Sequence, residues 1–446
     1  MTAIKRHSRR KRVHQTLRRL FHVLPAAWRF AIYRRMIDCD PAPDPRLELK
    51  IAQTPQELQE CFRLLHDAYV GSGFMKPDPS GMRVTMYHAL PTTTTLAAKW
   101  DGRVVGTISL VREGVFGFPL QSIFDLSELR AQGGNIAEVS ALAVHPDFRK
   151  TGGAILFPLM KFMYEYATKY FDTRHLVIAV NPDKIELYES LLLFRRLQEL
   201  PVQGYDFANG APAVGATLDL ADAPERMQQI YGKRPARRNL HDFFVQRVLP
   251  NIQLPRRRYY TTNDPVMTPD VLDHFFNRAT QGFSALDERR RRLLRSIYTT
   301  PAYAEVLPAV ETQPPQTVEP AAVRRHQRYS LRCPARMQTT IAGLDDLGPA
   351  ADAPSLNVIE VSMAGFQAES QFALPLHEEQ EFTVTLGNGV ESTVRARPVR
   401  RNRTEHGEFY GFELTSPADR TWTACVHALE LGHTADDLMR EPESVY

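Results

Sequence analysis

One stretch of the sequence combines a carboxylate with a basic, glycine-rich turn. Glu138 lies in an apolar run that is typical of a buried strand, and a helix is expected to begin near Gly153. Backbone N–H groups at the start of a helix have no partner within it, so they attract phosphate, here beside Arg149 and Lys150. The stretch therefore predicts a site that holds a phosphate-bearing cofactor next to a carboxylate able to act as a base.

The elements around this stretch predict a mixed α/β domain over residues 47–221. Thr54 and Pro55 favour the start of a helix, and Asp101-Gly102 between two apolar runs favours the turn of a β-hairpin. Hydrophobic spacing extends the prediction to the order β-α-β-β-β-α-β-α-β. The expected elements are a strand over Leu47 to Ala52, a helix from Thr54, a hairpin of Leu96 to Trp100 with Val104 to Val111, a strand over Ile136 to Val144, a helix over Gly153 to Tyr170, a strand over His175 to Val180, a helix over Pro182 to Phe194 and a strand over 213–220.

The second half of the chain has a different pattern. Residues 222–300 are polar and helical in tendency, and the run from Asp287 to Arg292 favours a solvated helix face. Five prolines within 301–320 are typical of an interdomain linker. Residues 321–430 favour a small antiparallel barrel or sandwich, because turn residues separate short alternating strands. Those strands are Leu356 to Val361, Phe382 to Leu386, Glu391 to Arg397 and Phe409 to Leu414, and 431–446 is expected to be a tail.

Composition limits the class of protein. A chain of 446 residues with 43% hydrophobic and 24% charged residues is expected to fold as two or three globular domains. The four cysteines are scattered without a CxxC pair, which argues against a zinc site or a disulfide framework and favours a reducing cytosol. No run of eighteen apolar residues occurs, so we predict no transmembrane helix. With the cysteine pattern, the prediction is a cytoplasmic protein without a metal.

The amino-terminal arm, residues 1–46, is strongly basic. Residues 1–37 contain eleven Lys or Arg and no acidic residue, so the net charge of +4 becomes −7 once these eleven are subtracted. Arginines alternate with apolar residues around Trp28 and Tyr33, which leaves two interpretations open: a helix packed on the domain behind a solvated tail, or an interfacial helix on anionic lipid. Nucleic-acid binding and a mitochondrial presequence are weaker alternatives, and no nucleic-acid polymer is expected as a partner.

The glycine-rich turn resembles the acyl-CoA-binding motif of the GNAT acyltransferases, in which Arg or Gln is followed by two residues, Gly, one residue and Gly or Ala. Arg149, Gly152 and Ala154 fill this motif. Asn181 and Tyr188 resemble the closing motif, whose Asn and Tyr face the thioester sulfur of the acyl donor. The resemblance implies a GNAT-like fold with a mixed sheet. The cofactor-binding residues that it implies are Val144, Arg149, Lys150, Gly152, Gly153, Ala154 and Asn181.

Two further segments resemble the FeeM-type N-acyl amino acid synthases, which are relatives of the LuxI-type acyl-homoserine lactone synthases. They are Glu138-Val-Ser140 and the residues from Asn209 to Ala216. The resemblance covers about 47–221. It implies an N-acyltransferase that moves a fatty acyl chain from acyl carrier protein, or from acyl-CoA, to the amino group of an amino acid.

Three side chains are the expected catalytic residues. A protonated amine must lose a proton before it attacks a thioester, and Glu138 on a buried strand is suited to accept that proton, with its pKa raised by burial. Ser140 lies two residues further along the strand and therefore on the same face, where it orients water or substrate. Tyr188 is expected to protonate the leaving thiolate. The alternatives are a glutamate paired with an arginine and a tyrosine that is only packed.

Residues 321–430 resemble the PilZ domain, a bacterial receptor for cyclic di-GMP whose signature is RxxxR, then Asp or Asn, one residue, Ser, two residues and Gly. Arginine forks suit the phosphates and guanine edges of this ligand. Glu360 departs from the signature because it replaces Asp or Asn, and a barrel that has lost the ligand is the alternative. The ligand-binding residues that the resemblance implies are Arg324, Arg325, Arg328, Glu360, Ser362 and Gly365.

These features together predict a cytoplasmic N-acyltransferase that is regulated by cyclic di-GMP. In the interfacial interpretation, residues 1–37 attach it to the inner face of the bacterial inner membrane. We expect the ligand to change the packing of the barrel against residues 222–320 and so to gate the acyl cleft. Two alternatives stay open: a non-catalytic cyclic di-GMP receptor with a GNAT-like scaffold, and an acyl-homoserine lactone-type synthase.

Overall fold

The computed structural model describes most of the chain between residues 24 and 430. Three residues predicted to bind ligands, Lys150, Arg324 and Arg325, lie outside the described residues, as do residues 1–23 and 431–446. The described residues are 24–149, 151–171, 173–255, 259, 267–298, 301–310, 328–338, 355–370, 372–387, 389–404 and 407–430.

The first half of the chain folds around a mixed sheet of the GNAT type. Within the described residues, the strands run in the order β1-β2-β3-β4-β5-β8-β6, with β7 paired to β8. Only β4 and β5 pair in parallel; the other neighbours are antiparallel. The strands are β1 Leu47–Ile51, β2 Thr93–Trp100, β3 Arg103–Arg112, β4 Asn135–Val144, β5 Thr173–Val180, β6 Arg195–Arg196, β7 Val202–Tyr205 and β8 Ala211–Asp219. The predicted fold class and strand order are confirmed, with β6 and β7 as additions.

Helices cover both faces of this sheet. The predicted helix start at Thr54 is confirmed by a capping box, since the Glu57 N–H donates to Thr54 Oγ1 over 3.2 Å and the Thr54 N–H donates to Glu57 Oε2. The α-helices are α1 Ala26–Arg35, α2 Pro55–Gly71, α3 Ser127–Ala131, α4 Leu156–Phe171, α5 Ile185–Leu192, α6 Ala223–Tyr231, α7 Pro269–Leu272, α8 Glu288–Ile297 and α9 Pro301–Val306. Short 3-10 turns occupy Met86–Ala89, Pro119–Ser122, Pro146–Phe148, Asp206–Ala208 and Ala236–Arg238, and π-helices occupy Asp242–Gln246 and Asp273–Ala279.

A β-bulge separates the fourth and fifth strands. The parallel pairing of β4 with β5 ends at Glu138 opposite Val177. Further along β4, Ala141 adopts a φ of 53°, and the pairing with β3 slips so that Ile108 has no single opposite residue. The two strands therefore diverge after Glu138 and leave a gap in the sheet.

Two hydrophobic cores lie on opposite faces of the sheet. Along β2, Leu96 and Ala98 belong to one core and Ala97 to the other, as strand alternation requires. The first core contains α4 and α6, and the second contains α2. We call them the α4-side core and the α2-side core.

The described residues between 222 and 310 pack on both cores, which differs from the solvated helix face and the linker that the sequence favoured. Phe243 and Phe244 are buried in the α4-side core, whereas Phe275 and Leu294 are buried in the α2-side core. A backbone segment at Asn251 also pairs with the edge strand β1 through hydrogen bonds of 2.8–2.9 Å. The prolines of 301–310 do not prevent order, because α9 and Leu307 pack against the domain.

The described residues from 328 onward form a closed antiparallel barrel. Its described strands, in spatial order, are β10-β11-β14-β13-β12-β9. Helix α10, Arg420–Glu430, packs with the barrel through the fully buried Trp422. Tyr259, from the extension of the acyltransferase half, is 6% exposed and belongs to the barrel's core. The strands are β9 Tyr329–Met337, β10 Ser355–Ser362, β11 Gly365–Ser370, β12 Gln380–Gly387, β13 Val390–Thr404 and β14 Gly407–Leu414.

Candidate active site

A cavity of about 310 Å³ connects the two cores through the gap between β4 and β5. Its wall on the α4 side is apolar and is contributed by helix α4, helix α6 and the π-helix of the extension. Its wall on the α2 side is aromatic. The α4-side lining includes Met160, Met163, Met227, Phe244 and Val245, and the α2-side lining includes Tyr69, Tyr205 and Phe207. The cavity can hold an extended apolar chain with its reactive end in the gap of the sheet.

Glu138 lies in this gap and is 1% exposed. Its Oε2 accepts a hydrogen bond from the Leu120 N–H at 2.9 Å. Among the described residues no cation lies within ion-pair distance, so the alternative of a glutamate paired with an arginine is not observed. Burial raises the pKa of Glu138 to about 8, while the Leu120 hydrogen bond opposes that shift. Such a carboxyl can both accept and return a proton near neutral pH.

The other predicted catalytic and thioester-facing residues line the same cavity. Ser140, Tyr188 and Asn181 are all part of its wall. Burial raises the pKa of Tyr188 to about 12, which keeps its phenol protonated and able to donate. The side-chain oxygen of Asn181 accepts from the Asp183 N–H at 2.9 Å, so this residue also shapes the turn before α5. The fold therefore brings Glu138 together with the three residues that the sequence predicted around it.

The glycine-rich turn presents backbone N–H groups at the start of α4. Gly152 and Gly153 have φ values of 67° and 92°, and a Cβ on Gly153 would lie 2.5 Å from the Phe157 ring. The N–H groups of Gly152, Gly153 and Ile155 donate to no described residue, which leaves them available for an anion. Arg149 is exposed, and its Nε donates to the Val144 carbonyl at 2.8 Å. Ala154 closes the turn through a backbone hydrogen bond to Thr151.

The amino-terminal arm reaches this turn, a feature that the sequence did not reveal. A Cβ on Gly152 would lie 3.5 Å from the Asp38 carboxylate, which pairs with Arg237 at 2.6 Å and has its pKa lowered by that hydrogen bond. Helix α1 is fastened to α5 by the Arg29–Glu186 ion pair at 2.7 Å. These contacts join residues that are 114 to 199 positions apart, so no local pattern could have predicted them.

The aromatic rings of the α2-side wall contact a second group that the sequence did not reveal, the guanidinium of Arg83. It lies 4.0 Å from the centre of the Tyr69 ring and 4.7 Å from that of Phe207. Its Nη2 donates to the Phe207 carbonyl at 2.7 Å. An arginine in a loop rich in Gly, Pro and Asp carries no motif, and only the fold places it beside the cavity.

In the barrel, the residues predicted to bind cyclic di-GMP have two kinds of environment. Arg328 and Glu360 lie at the surface, with 3.2 Å between Nη1 and Oε2. Ser362 instead donates from Oγ to the Gly365 carbonyl within the turn from β10 to β11, and its own carbonyl accepts from Trp422. Any Cβ on Gly365 would lie 2.1 Å from the Phe412 carbonyl. Ser362 and Gly365 therefore have structural roles in the barrel whether or not a ligand binds.

The fold and the cavity indicate the class of protein. A mixed sheet that diverges after a bulged fourth strand, with a glycine-rich turn opening the next helix and a buried carboxyl in the gap, defines an acyltransferase domain of the GNAT type. Residues 60–219 match the family model of the N-acyl amino acid synthase FeeM. This domain is accordingly an N-acyltransferase. No curated protein sequence matches the chain.

Solved structures of similar fold include three acyl-transferring enzymes. FeeM, an N-acyl amino acid synthase from uncultured soil microbes, is 24% identical over 41% of this chain and 95% of its own, with a TM-score of 0.35. The CoA-dependent acyl-homoserine lactone synthase BjaI is 20% identical over 47% of this chain and 92% of its own, with a TM-score of 0.33. The AHL synthase LasI is 15% identical over 47% and 98%, with a TM-score of 0.32.

Metal sites and membrane-spanning helices are two further features that a chain of this kind could contain. Among the described residues, no group of three or more His, Cys, Asp and Glu is arranged to hold a metal ion. Within the same residues, no helix combines the length and hydropathy that crossing a bilayer requires.

Proposed function

We propose that the acyltransferase domain transfers a fatty acyl chain from a phosphopantetheine thioester to the amino group of an amino acid. The observation that carries this proposal is that Glu138 and Tyr188 line one cavity, whose α4-side half is apolar. The glycine-rich turn supports it, because its unpartnered N–H groups suit the phosphate of the donor. The donor is either acyl carrier protein or acyl-CoA, since both present the same thioester arm.

The cavity residues support a direct transfer. Glu138 in its ionised form removes a proton from the acceptor's ammonium group, directly or through a water that Ser140 orients. The free amine attacks the thioester carbonyl carbon, forming the C–N bond. Collapse of the tetrahedral adduct breaks the C–S bond, Tyr188 protonates the departing thiolate, and the proton lost by the new amide nitrogen restores Tyr188. Glu138 finally releases its proton to solvent.

Mass spectrometry of the purified protein's products tests this function. The protein is incubated with a palmitoyl donor, on acyl carrier protein or on CoA, and with each of the twenty amino acids. The expected product is an N-acyl amino acid, and Glu138→Gln is expected to lower kcat by about 100-fold or more. The control is Glu113→Gln, because Glu113 is half exposed and pairs with Arg130 away from the cavity. Absence of any acylated amine with both donors would refute the proposal.

We also propose that the barrel is a cyclic di-GMP receptor. The support is a closed antiparallel barrel with Arg328 at its surface beside Glu360 and Gln367, where guanidinium and carboxylate can meet phosphate and guanine. Isothermal titration of the full chain is expected to show binding that Arg328→Ala weakens by about 10-fold or more. Arg336→Ala is the control, since Arg336 forms a comparable exposed pair with Glu391 on the same barrel. Equal affinity in both variants would refute the assignment.

Regulation of acyl transfer by this nucleotide is the third part of the proposal. The support is the physical connection between the two halves, because Tyr259 of the extension is buried in the core of the barrel. The same extension contributes Phe244 to the acyl cavity. Turnover measured with and without saturating cyclic di-GMP is expected to differ. Identical kcat and KM in both conditions would exclude this regulation.

The arm supports attachment to an anionic membrane surface. Trp28 and Ile32 of α1 and Met36, which caps its carboxy-terminal end, are spaced four residues apart and are 67%, 37% and 74% exposed, while Arg29 and Arg34 of α1 fasten it to α5. Together with the basic residues of 1–37, this apolar stripe fits an interfacial helix. Sedimentation with vesicles is expected to depend on phosphatidylglycerol, to weaken in salt, and to be lost in Trp28→Ser with Met36→Ser. Recovery that is unaffected by these substitutions would contradict the proposal.

A further inference from the structure

Arg83 places a guanidinium group beside the α2-side half of the cavity without an acidic partner. Its side chain is held between the rings of Tyr69 and Phe207, which both line the cavity. Its hydrogen bonds to the Phe207 carbonyl and to the Tyr69 hydroxyl use two of the five N–H donors that an arginine carries. Throughout the described chain, no Asp or Glu approaches it within ion-pair distance.

This arrangement is costly unless another group supplies the missing charge. Largely buried charges in proteins are normally paired, because taking an ion out of water is unfavourable. Burial accordingly lowers the pKa of Arg83. The aromatic rings offset part of that cost through cation–π contacts, yet they leave guanidinium N–H groups without an anionic acceptor. A carboxylate that enters with the substrate would fill this position.

The position of Arg83 relative to Glu138 fits an acceptor with two opposite charges. The phenols of Tyr69 and Tyr205 line the cavity together with Glu138, and both phenols interact electrostatically with Glu138 and with Arg83. Glu138 attracts and deprotonates an ammonium group, whereas Arg83 attracts a carboxylate. The acyl chain has its own apolar half on the other side of the sheet.

We propose that Arg83 is the specificity-determining residue that binds the carboxylate of the acceptor, and that the enzyme therefore requires an amine carrying a free carboxylate. This inference rests on the proposed N-acyltransferase function. The Tyr69 and Phe207 rings hold the guanidinium plane in a fixed orientation, which suits bidentate pairing with a carboxylate. Arg83 acts on binding and orientation of the acceptor and takes no part in proton transfer.

Acceptor analogues without the carboxylate charge test this inference. For the amino acid that the wild-type protein acylates fastest, kcat/KM is measured with a palmitoyl donor for the free acid and for its primary amide. The wild type is expected to prefer the acid by about 100-fold, as for the loss of a close charge pair. In Arg83→Gln the preference is expected to fall to near one, chiefly through a higher acceptor KM. Arg83→Lys should restore part of the preference because it restores the charge.

The outcomes separate this inference from the function on which it rests. If the wild type acylates no amine at all, the proposed function fails. If it acylates the acid and the amide equally well, the function stands and the role of Arg83 is refuted, without the need for any variant. A variant that loses the same factor on both acceptors would show that Arg83 only holds the Phe207 loop. Arg103→Gln is the matched control, since Arg103 is exposed in the hairpin between β2 and β3.

Discussion

At the scale of single residues, the proposed chemistry depends on one carboxyl group whose environment disfavours its charge. Among the described residues, the Leu120 N–H is the one hydrogen-bond donor to Glu138, and burial raises the pKa of Glu138 to about 8. At pH 7 most molecules therefore carry a neutral Glu138, and the basic form becomes dominant above pH 8. The acceptor must bind to the ionised form, so kcat/KM is expected to rise with pH through this range.

The same pKa predicts how stability depends on pH. The pKa of Glu138 is higher in the folded protein than the ordinary value of about 4.3 in the unfolded chain, so folding is progressively penalised as pH rises between these values. Glu138→Gln removes this penalty. The free energy of unfolding of this variant, relative to that of the wild type, is therefore expected to increase by about 1.4 kcal/mol per pH unit from pH 5 to pH 8. Urea unfolding at pH 5, 6.5 and 8 measures it, and a difference that does not change with pH would contradict a raised pKa.

Part of this site could be predicted from single residues and part could not. Glu138, Ser140, Tyr188 and Asn181 lie in segments whose local pattern carries the signal, and all four line the cavity. Arg83 and Asp38 lie in loops or arms without such a pattern, and long-range contacts alone bring them to the site. Ser362 and Gly365 show a further limit, because the contacts of the barrel already account for both residues.

The glycine-rich turn, which we propose to bind the phosphate of the donor, allows a second prediction at this scale. Gly153→Ala is expected to raise the KM for the acyl donor by about 10-fold or more, because Ala disfavours a φ of 92° and its Cβ would collide with Phe157. The KM for the acceptor should be unchanged. Gly102→Ala is the matched control, since Gly102 also has a positive φ of 80° but an added Cβ meets nothing. Equal effects of both substitutions on donor KM would show that the turn binds no phosphate.

At the scale of elements, the bulge in β4 is the feature that makes the site. A regular strand would pair with β5 along its whole length and close the sheet, whereas the slip at Ala141 lets the strands diverge and opens the cavity. Hydrophobic alternation predicted the strand and its length, but the slip opposite Ile108 breaks that alternation and could not be predicted from it. The extension was harder still to predict, because its buried pairs Phe243-Phe244 and Phe275-Phe276 lie in a mostly polar stretch.

The helices that line the apolar half of the cavity are expected to determine which length of acyl chain is preferred. Met227 and Ala223 are buried on α6 and both line the cavity. Met227→Ala enlarges the space and is expected to shift the preferred donor towards longer chains, while Ala223→Val should shift it towards shorter ones. Competition between C8, C12 and C16 thioesters, with products measured by mass spectrometry, gives the shift. Opposite shifts from the two variants would support binding of the acyl chain in this half of the cavity. An unchanged product distribution in both would place the acyl chain elsewhere.

At the scale of the whole molecule, the extension is the structural connection between catalysis and the barrel. Residues 222–255 complete the α4-side core, residues 267–310 complete the α2-side core, and between them Tyr259 enters the core of the barrel. Each half therefore depends on a segment that also contacts the other. The regulation proposed above would act through this shared segment, and coupling between the two parts has to be measured directly.

Tyr259 is the residue with which this connection can be broken. Tyr259→Ala is expected to destabilise the barrel by about 2–4 kcal/mol, in line with truncation of a buried aromatic side chain. Hydrogen exchange measured by mass spectrometry should then increase in β9 to β14, while β1 to β5 keep their protection and basal acyl transfer is retained. Any effect of cyclic di-GMP on turnover should disappear in the same variant. Tyr259→Phe is the control because it keeps the buried ring, and unchanged exchange in the alanine variant would show that the two halves are energetically independent.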